Sequence, residues 1–222
     1  MKPVPRRLFA LAYVALSLAA IAVAEDRESP GSPDSPGGAS SQSSQERADE
    51  LALLAKTAAS YTVKLDGNRP AEFDREPAFR WNNLIAGTKD AALFLWMADG
   101  RPAVACTILW RPELGMFHEF QSLALQPLQA ERAGKKEWEV SQPGIRFAPV
   151  AGAPQPESTA ARRLNQMKKL AGQFSAEVVK GPPAYPEGSV WQLRLLPKPV
   201  ARYGGSQHPA RDGAVFAFCQ DT

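Results

Sequence analysis

The stretch DAALFLWMADGRPAVACTILW, residues 90–110, decides the fold. Two runs that are apolar at nearly every position, residues 91–97 and 104–110, lie on either side of Asp99-Gly100. An Asp-Gly pair between two such runs is a strong short-range signal of a tight β-hairpin. We therefore predict two antiparallel strands at the well-buried centre of a sheet.

Strands on both sides of this hairpin extend the sheet. Tyr61, Val63 and Leu65 alternate with polar residues, which is the period-two pattern of a half-buried strand. The same reasoning predicts further strands, with Gly, Pro or Asp marking the turns between them. These strands cover residues 79–84, 116–125, 138–140, 145–147, 190–196, 200–203 and 214–219.

Two segments have helical rather than strand periodicity. A capping box at residues 43–46 introduces the first, which we predict to be a helix over residues 46–59. The second is predicted over residues 158–179, with Ser158 as its cap and Gly181-Pro182-Pro183 as its stop. Its apolar stripe consists of Leu164, Met167, Ala171, Phe174 and Val178.

Together these elements predict a single α+β domain over residues 46–222. We expect a curved antiparallel sheet with the long helix at 158–179 packed on one face. The shorter N-terminal helix then covers an edge or an open end of the sheet. A groove between the sheet and its helix is the expected place for a ligand.

The N-terminal region has the parts of a secretory signal peptide. Three basic residues precede an apolar run over residues 8–23, which ends in the small-x-small pattern Ala22-Val23-Ala24. This run is shorter than the ~20 residues of a spanning helix, so we predict a cleaved signal at 1–24 rather than a membrane anchor. Residues 25–45, rich in Ser, Pro and Gly, are predicted to be a disordered spacer. The mature protein is then secreted or periplasmic, with no transmembrane span.

Charge and motif content exclude several classes of function. The chain has 26 Lys and Arg against 23 Asp and Glu. Signal cleavage removes three basic residues and no acidic one, so the mature chain has no net charge and no field that would attract nucleic acid. The sequence has no Gly-x-Ser-x-Gly, His-Glu-x-x-His, Cys-x-x-Cys, phosphate-loop or dinucleotide motif. We therefore expect neither a cofactor nor a metal.

Four side chains are the candidates for a binding or catalytic site. His118, in a predicted strand, could act as a general base, or it could be a half-buried histidine whose nitrogens are hydrogen-bonded. His208 lies in a predicted loop, and loops often carry function. Trp81 and Trp138 are flanked by polar residues and could stack on a ligand at the surface.

Cys106 and Cys219 are the two cysteines of the chain, and both lie in apolar strand-like runs. One alternative is a disulfide that joins a middle strand to the last one in an oxidising compartment. The other is two buried thiols, because a cysteine packs well as a small apolar side chain. Both alternatives stay open, since the sequence does not supply the required Cα separation.

Short stretches spread over most of residues 60–220 carry a resemblance to a known family. They are Trp81-Asn82-Asn83 followed by residues 87–96, Gly100-Arg101-Pro102, His118-Glu119-Phe120 with Ser122-Leu123, the Pro-rich run before Ser158, and residues 212–216. In these stretches the chain resembles a family of uncharacterised secreted proteins from planctomycete bacteria. The resemblance implies an exported protein, and it implies no activity and no catalytic residue.

Three hypotheses of function follow from these observations. The first is a non-catalytic extracytoplasmic binding or envelope-associated domain with an envelope or cell-surface partner. The second is a hydrolase-like enzyme that uses His118 with an acid residue the sequence does not identify. The third is a structural protein that self-associates through the edge of its last sheet.

Overall fold

The structure is a computed structural model that describes residues 39–83, 88–148, 152–180, 188–204 and 212–220. It contains two helices in these ranges, α1 (Ala39–Ala59) and α2 (Ala160–Ala171). Neither of these two combines the length and the apolar character that crossing a membrane requires.

The strands of the described ranges form four antiparallel sheets rather than the one sheet that we predicted. Together with the two helices they confirm the predicted α+β class. In chain order they are β1 (Tyr61–Leu65), β2 (Arg69–Pro70), β3 (Glu72–Phe73), β4 (Phe79–Asn83), β5 (Thr88–Ala98), β6 (Arg101–Arg111), β7 (Gly115–Ser122), β8 (Leu128–Arg132), β9 (Lys135–Val140), β10 (Ala176–Lys180), β11 (Ser189–Leu195), β12 (Ala201–Tyr203), β13 (Gly213–Val215) and β14 (Phe218–Gln220). The central sheet has the order β3-β5-β6-β7, with β4 also paired to β5. The other sheets are β2-β1-β8-β9, β10-β11-β14 and β12-β13.

β5 and β6 form the predicted hairpin. Ala98 pairs with Arg101 across a two-residue turn. Asp99 has φ +53° and Gly100 has φ +73°. Positive φ at both central residues is the type I′ turn, whose twist matches that of the two strands. The turn predicted from Asp99-Gly100 is confirmed.

β5 is buried on both faces. Ala92, Phe94 and Trp96 point into a first core cluster, which α1 and the β2-β1-β8-β9 sheet complete. Leu93 and Leu95 point the other way, into a second core cluster completed by residues of β12, β13 and β14. Because neighbours cover both faces, nearly every position of this strand can be apolar.

A hydrogen bond and an ion pair attach α1 to the central sheet. The buried carboxylate of Asp90 in β5 accepts two hydrogen bonds from Arg80 in β4, with Nε–Oδ1 at 2.9 Å and Nη2–Oδ2 at 2.5 Å. The same guanidinium donates to the main-chain oxygen of Arg47 in α1 at 2.7 Å. Lys89 also pairs with Glu50 of this helix. α1 is thereby fixed to one end of β5.

A second shielded carboxylate connects α2 to the β12-β13 sheet. The side chain of Asp212, 8 % exposed, accepts from Arg163 of α2 at 2.9 Å and from Arg202 of β12 at 3.0 and 2.6 Å. Burial alone would raise the pKa of Asp212, but hydrogen bonds from Arg202 and Arg163 bring it below its ordinary value. The ionised carboxylate therefore holds helix and sheet together.

The predicted long helix over residues 158–179 is wrong. α2 ends at Ala171 with Gly172 as its C-cap, and residues 176–180 instead form β10, which pairs along its whole length with β11. Thr159 rather than Ser158 caps the helix, with its Oγ1 accepting from the N–H of Arg162 at 3.3 Å. The helical spacing of the sequence does not decide the structure here, because residues 176–180 pair with β11. The alternation of a buried Ala176 with an exposed Glu177 is the burial pattern of a strand.

The N-terminal helix starts earlier than predicted. α1 includes residues 39–45, which we predicted as part of the spacer, and it is the longer of the two described helices. Leu54 and Ala58 bury its inner face in the first core cluster. Residues 145–147, predicted as a strand, belong to none, and Ile145 is instead buried in the second core cluster. The predicted signal and the rest of the spacer lie outside the described residues.

The backbone geometry of two glycines predicts different effects of their substitution on the free energy of unfolding. Gly100→Ala should lower the free energy of unfolding by about 1–2 kcal/mol, because a side chain is disfavoured at positive φ. Gly172→Ala is the matched control, since its φ is −66° and an added Cβ would make ordinary contacts. It should be neutral or stabilise by up to about 1 kcal/mol. Urea denaturation followed by tryptophan fluorescence measures both, and equal effects would contradict the turn.

Candidate functional site

His118 lies on β7, at the edge of the central sheet. Its Nδ1 is 2.5 Å from the hydroxyl oxygen of Tyr61, the first residue of β1. The two rings meet edge to face, with 5.5 Å between centroids. Tyr61 is buried and His118 is half-buried. Their hydrogen bond therefore connects the central sheet to the sheet that covers it.

Aromatic rings hold Tyr61 in place. Phe120, two residues along β7 from His118, meets Tyr61 edge to face at 4.9 Å between centroids. The same ring stacks on Trp138 of β9 at 5.1 Å. Such contacts favour one ring orientation beyond the stabilisation from apolar burial. The phenol is consequently directed towards the imidazole.

One cation and one carboxylate border the pair. Arg132 of β8 is the register partner of Tyr61, and its Cζ lies 5.1 Å from the centroid of that ring. Glu137 is the extra residue of a β-bulge between β8 and β9, a feature that redirects side chains. Arg132 Nη2 and Glu137 Oε1 are 3.8 Å apart.

Both members of the pair are uncharged at neutral pH. Burial raises the pKa of Tyr61, and Arg132 only partly offsets this. Burial, and less strongly Arg132, lower the pKa of His118, while Glu137 opposes the shift. Because a phenol is the stronger acid and an imidazole the stronger base, we assign the shared proton to Tyr61, which donates to Nδ1. His118 then carries its own proton on Nε2.

This arrangement suits a structural hydrogen bond better than proton transfer. In a catalytic histidine one nitrogen is usually oriented by a carboxylate and the other faces the nucleophile or substrate. Here Nδ1 meets a neutral phenol, and Nε2 is buried with no hydrogen-bond partner among the described residues. The Tyr61–His118 pair therefore serves first to join two sheets.

The predicted binding residues do not form one site. Trp138 lies near His118 through Phe120, but its ring is partly buried against the first core cluster. Trp81 stacks on Phe79 at 5.6 Å and packs with the second core cluster, on the opposite face of the central sheet. His208 lies outside the described residues.

Cys106 and Cys219 occur as the two buried thiols of the second alternative. Cys106 belongs to the first core cluster and Cys219 to the second, so the central sheet separates their side chains. Burial raises the pKa of the Cys106 thiol far above its ordinary value, which keeps it protonated and unreactive. The structure, which describes both residues, has no disulfide between them.

An open groove of about 660 Å³ lies beyond the end of β7, not between a sheet and α2 as expected. Its lining consists of Leu125, Gln142, Pro143, Gly144, Ile145, Arg146 and Phe147. Leu125 is 43 % exposed, although it is a large apolar residue. Arg146 is exposed and provides the one charge among these lining residues.

Gly144 fixes the groove to the sheet. A Cβ at this position would clash with the main-chain oxygen of Ser122, so the close approach of the two segments requires glycine. Its N–H donates to the main-chain oxygen of Ala124 at 3.0 Å. Ile145, only 8 % exposed, inserts into the second core cluster. The segment is therefore anchored, while Arg146 beside it stays accessible.

A second guanidinium contacts the ring of Phe147, which is one of these lining residues. Arg101, the first residue of β6, has its Cζ 5.2 Å from the ring centroid of Phe147. Burial lowers the pKa of Arg101 below its ordinary value, and Tyr203 and Asp99 offset only part of this. The carboxylate of Asp99 accepts two hydrogen bonds from Arg69, at 2.7 and 2.8 Å. No carboxylate of the described chain is hydrogen-bonded to Arg101.

Sequence reasoning missed Tyr61 and the groove. Tyr61 shares its strand face with Val63 and Leu65, and an inward tyrosine needs a hydrogen-bond partner. That requirement was the available signal, but it did not identify His118, 57 residues away. Nothing in the local pattern placed Arg101 beside residues 142–147.

Acidification should weaken the fold through His118. The pKa of His118 is lower in the folded state than its value near 6.5 in the unfolded state. Its contribution to stability is therefore complete above pH 6.5 and is lost as the pH falls from there towards the folded-state pKa. We expect the free energy of unfolding to fall between pH 7.5 and 5.5, and to fall less in His118→Gln. At pH 7.5 this substitution should cost about 1 kcal/mol through the altered contact to Tyr61.

His208→Gln is the matched control for this effect, because the chain contains two histidines. Measured in the same urea series, it separates the contribution of the second histidine from that of His118. An unchanged pH response in His118→Gln would contradict the neutral, hydrogen-bonded state of His118.

The Tyr61–His118 pair and the groove at residues 142–147 are the two functional candidates. No group of three or more His, Cys, Asp or Glu side chains in the described ranges could hold a metal ion. No family model, curated protein or solved structure matches the chain. Contacts, burial and charge at these two places are therefore the basis for assigning a function.

Proposed function

We propose that the mature protein is an exported, non-catalytic binding domain that works outside the cytoplasm, in the secreted or periplasmic space. The observation that carries this proposal is the anchored groove beside β7. Its partner would be a molecule of the cell envelope or cell surface. The resemblance to secreted planctomycete proteins is in keeping with export.

The groove has the features of a ligand site. Its volume of about 660 Å³ falls within the range of roughly 300–1,000 Å³ typical of small-molecule and cofactor sites. Leu125 and Phe147 offer apolar contact, while Gln142 and Arg146 offer polar groups that could fix an orientation. Binding sites are usually lined by apolar side chains with a small number of polar groups.

The Tyr61–His118 pair supports binding over the hydrolase hypothesis. A hydrolase would need His118 to exchange protons with a substrate, whereas Nδ1 is engaged by Tyr61 and Nε2 is shielded from solvent. Exposing this nitrogen would require a movement of His118 or of the residues that cover it. The groove needs no such movement, because Leu125 and Arg146 are exposed already.

Export predicts a defined mature mass. Protein recovered from outside an exporting host should have the mass of residues 25–222, because Ala22-Val23-Ala24 is the cleavage pattern. Ala24→Arg should block processing and leave residues 1–24 attached. Intact mass spectrometry measures both, and a secreted chain of full mass would contradict the signal peptide.

The groove predicts a bound ligand that depends on Leu125. Native mass spectrometry of the exported protein, without denaturant, should detect extra mass from a co-purified molecule. Leu125→Asp should lower the occupancy roughly tenfold, because it removes an apolar contact of leucine size. Its fold should be unaffected, since this side chain is largely exposed.

Leu114→Asp is the matched control, because Leu114 is 65 % exposed and does not line the groove. It should keep the extra mass. A bare mass for the unsubstituted protein, or a ligand that survives Leu125→Asp, would count against the groove as the binding site.

A further inference from the structure

Arg146 brings an unbalanced positive charge to the groove. The lining contains no acidic residue, and Arg146 makes no ion pair or side-chain hydrogen bond within the described chain. A guanidinium has five N–H donors in a planar fork that fits a carboxylate. The charge of the groove therefore favours an anionic ligand.

Arg101 points to the same chemistry independently. Its guanidinium is half-buried beside Phe147, where burial disfavours the charged form. Shielded cations are normally paired with a carboxylate, as Arg163 is with Asp212 in this protein. Arg101 has the ring of Phe147 instead, and its N–H donors have no carboxylate partner in the described ranges. A ligand carboxylate would complete this site.

Apolar surface adjoins these charges. Leu125 and Phe147 flank the groove, and Pro143 adds a rigid apolar ring to its lining. An anionic group alone would leave this surface in contact with water. The ligand that fits best thus has an apolar group next to its negative charge.

The shape of the groove selects between the sources of such a ligand. A long acyl chain binds where walls enclose most of its surface. This groove is open rather than enclosed, and its exposed Gln142 offers an amide that can hydrogen-bond a peptide group. A peptide end with one apolar side chain matches these features better than an acyl chain.

We infer that the groove recognises the C-terminal end of a peptide chain, with the terminal carboxylate on Arg146 and Arg101 and an apolar last side chain on Leu125 and Phe147. This inference rests on the proposed binding function and names its ligand class. Capture of a C-terminal carboxylate is a known mode of peptide recognition.

An NMR titration of the isotopically labelled exported protein tests the inference. The probes are acetyl-Gly-Ala-Leu with a terminal carboxylate, the same peptide as its amide, and dodecanoate. We expect the acid peptide to shift the backbone amides of residues 142–147. The amide peptide should bind at least roughly tenfold more weakly, because it lacks the charge-assisted hydrogen bonds.

Arginine variants identify the contact. Arg146→Gln should weaken binding of the acid peptide at least roughly tenfold and leave the amide peptide unchanged. Arg101→Gln should do the same, and Arg146→Gln carries the test alone if the half-buried position does not tolerate substitution. Arg162→Gln, on the exposed surface of α2, is the matched control and should bind like the unsubstituted protein.

The outcomes separate this inference from the proposed function. Equal affinity for acid and amide peptides would overturn carboxylate recognition while keeping the groove as a binding site. Arginine-dependent binding of dodecanoate without peptide binding would overturn the peptide end as ligand. If none of the three probes shifts the amides of residues 142–147, and native mass spectrometry detects no extra mass, the binding function itself is overturned.

Discussion

Burial of β5 on both faces is the constraint on which the rest of the structure depends. Phe94 and Trp96 point to one side and Leu93 and Leu95 to the other, and none of these is more than 3 % exposed. Each such side chain contributes roughly 1.5–3 kcal/mol when it is fully buried. A lone hairpin would expose all of them, so the chain has to supply a layer on each side. α1 and the β1-containing sheet form one layer, and the C-terminal strands form the other.

Three polar contacts occur where the layers meet. Arg80, paired with Asp90, connects the central sheet with α1. Asp212 connects α2 with the β12-β13 sheet, and Tyr61 connects β1 with His118 of β7. Apolar burial is non-directional and would tolerate sliding of one layer over another. Hydrogen bonds and ion pairs are directional, so these few contacts fix how the layers are placed. His118 is best understood within this group.

The sequence predicts elements whose determinants are local and misses those decided by distant partners. Asp99-Gly100 specifies its turn without help, which is why the hairpin was correct. Phe174 and Val178 continue a helical spacing, yet pairing of β10 with β11 places Val178 in a strand. Likewise, Cys106 and Cys219 lie on opposite faces of the central sheet, and only the assembled layers determine this. The Tyr61–His118 contact and the groove are of this second kind.

Arg101 departs from the pattern of the other shielded charges. Arg80 and Arg163 each meet a carboxylate that is nearly buried, which offsets the loss of hydration. The ring of Phe147 gives Arg101 only partial compensation, since a cation–π contact contributes about 0.5–2 kcal/mol. Such local departures from the rules of stability are expected at functional sites. A ligand carboxylate would supply the missing partner, and binding in the groove would then be coupled to stability at this end of the sheet.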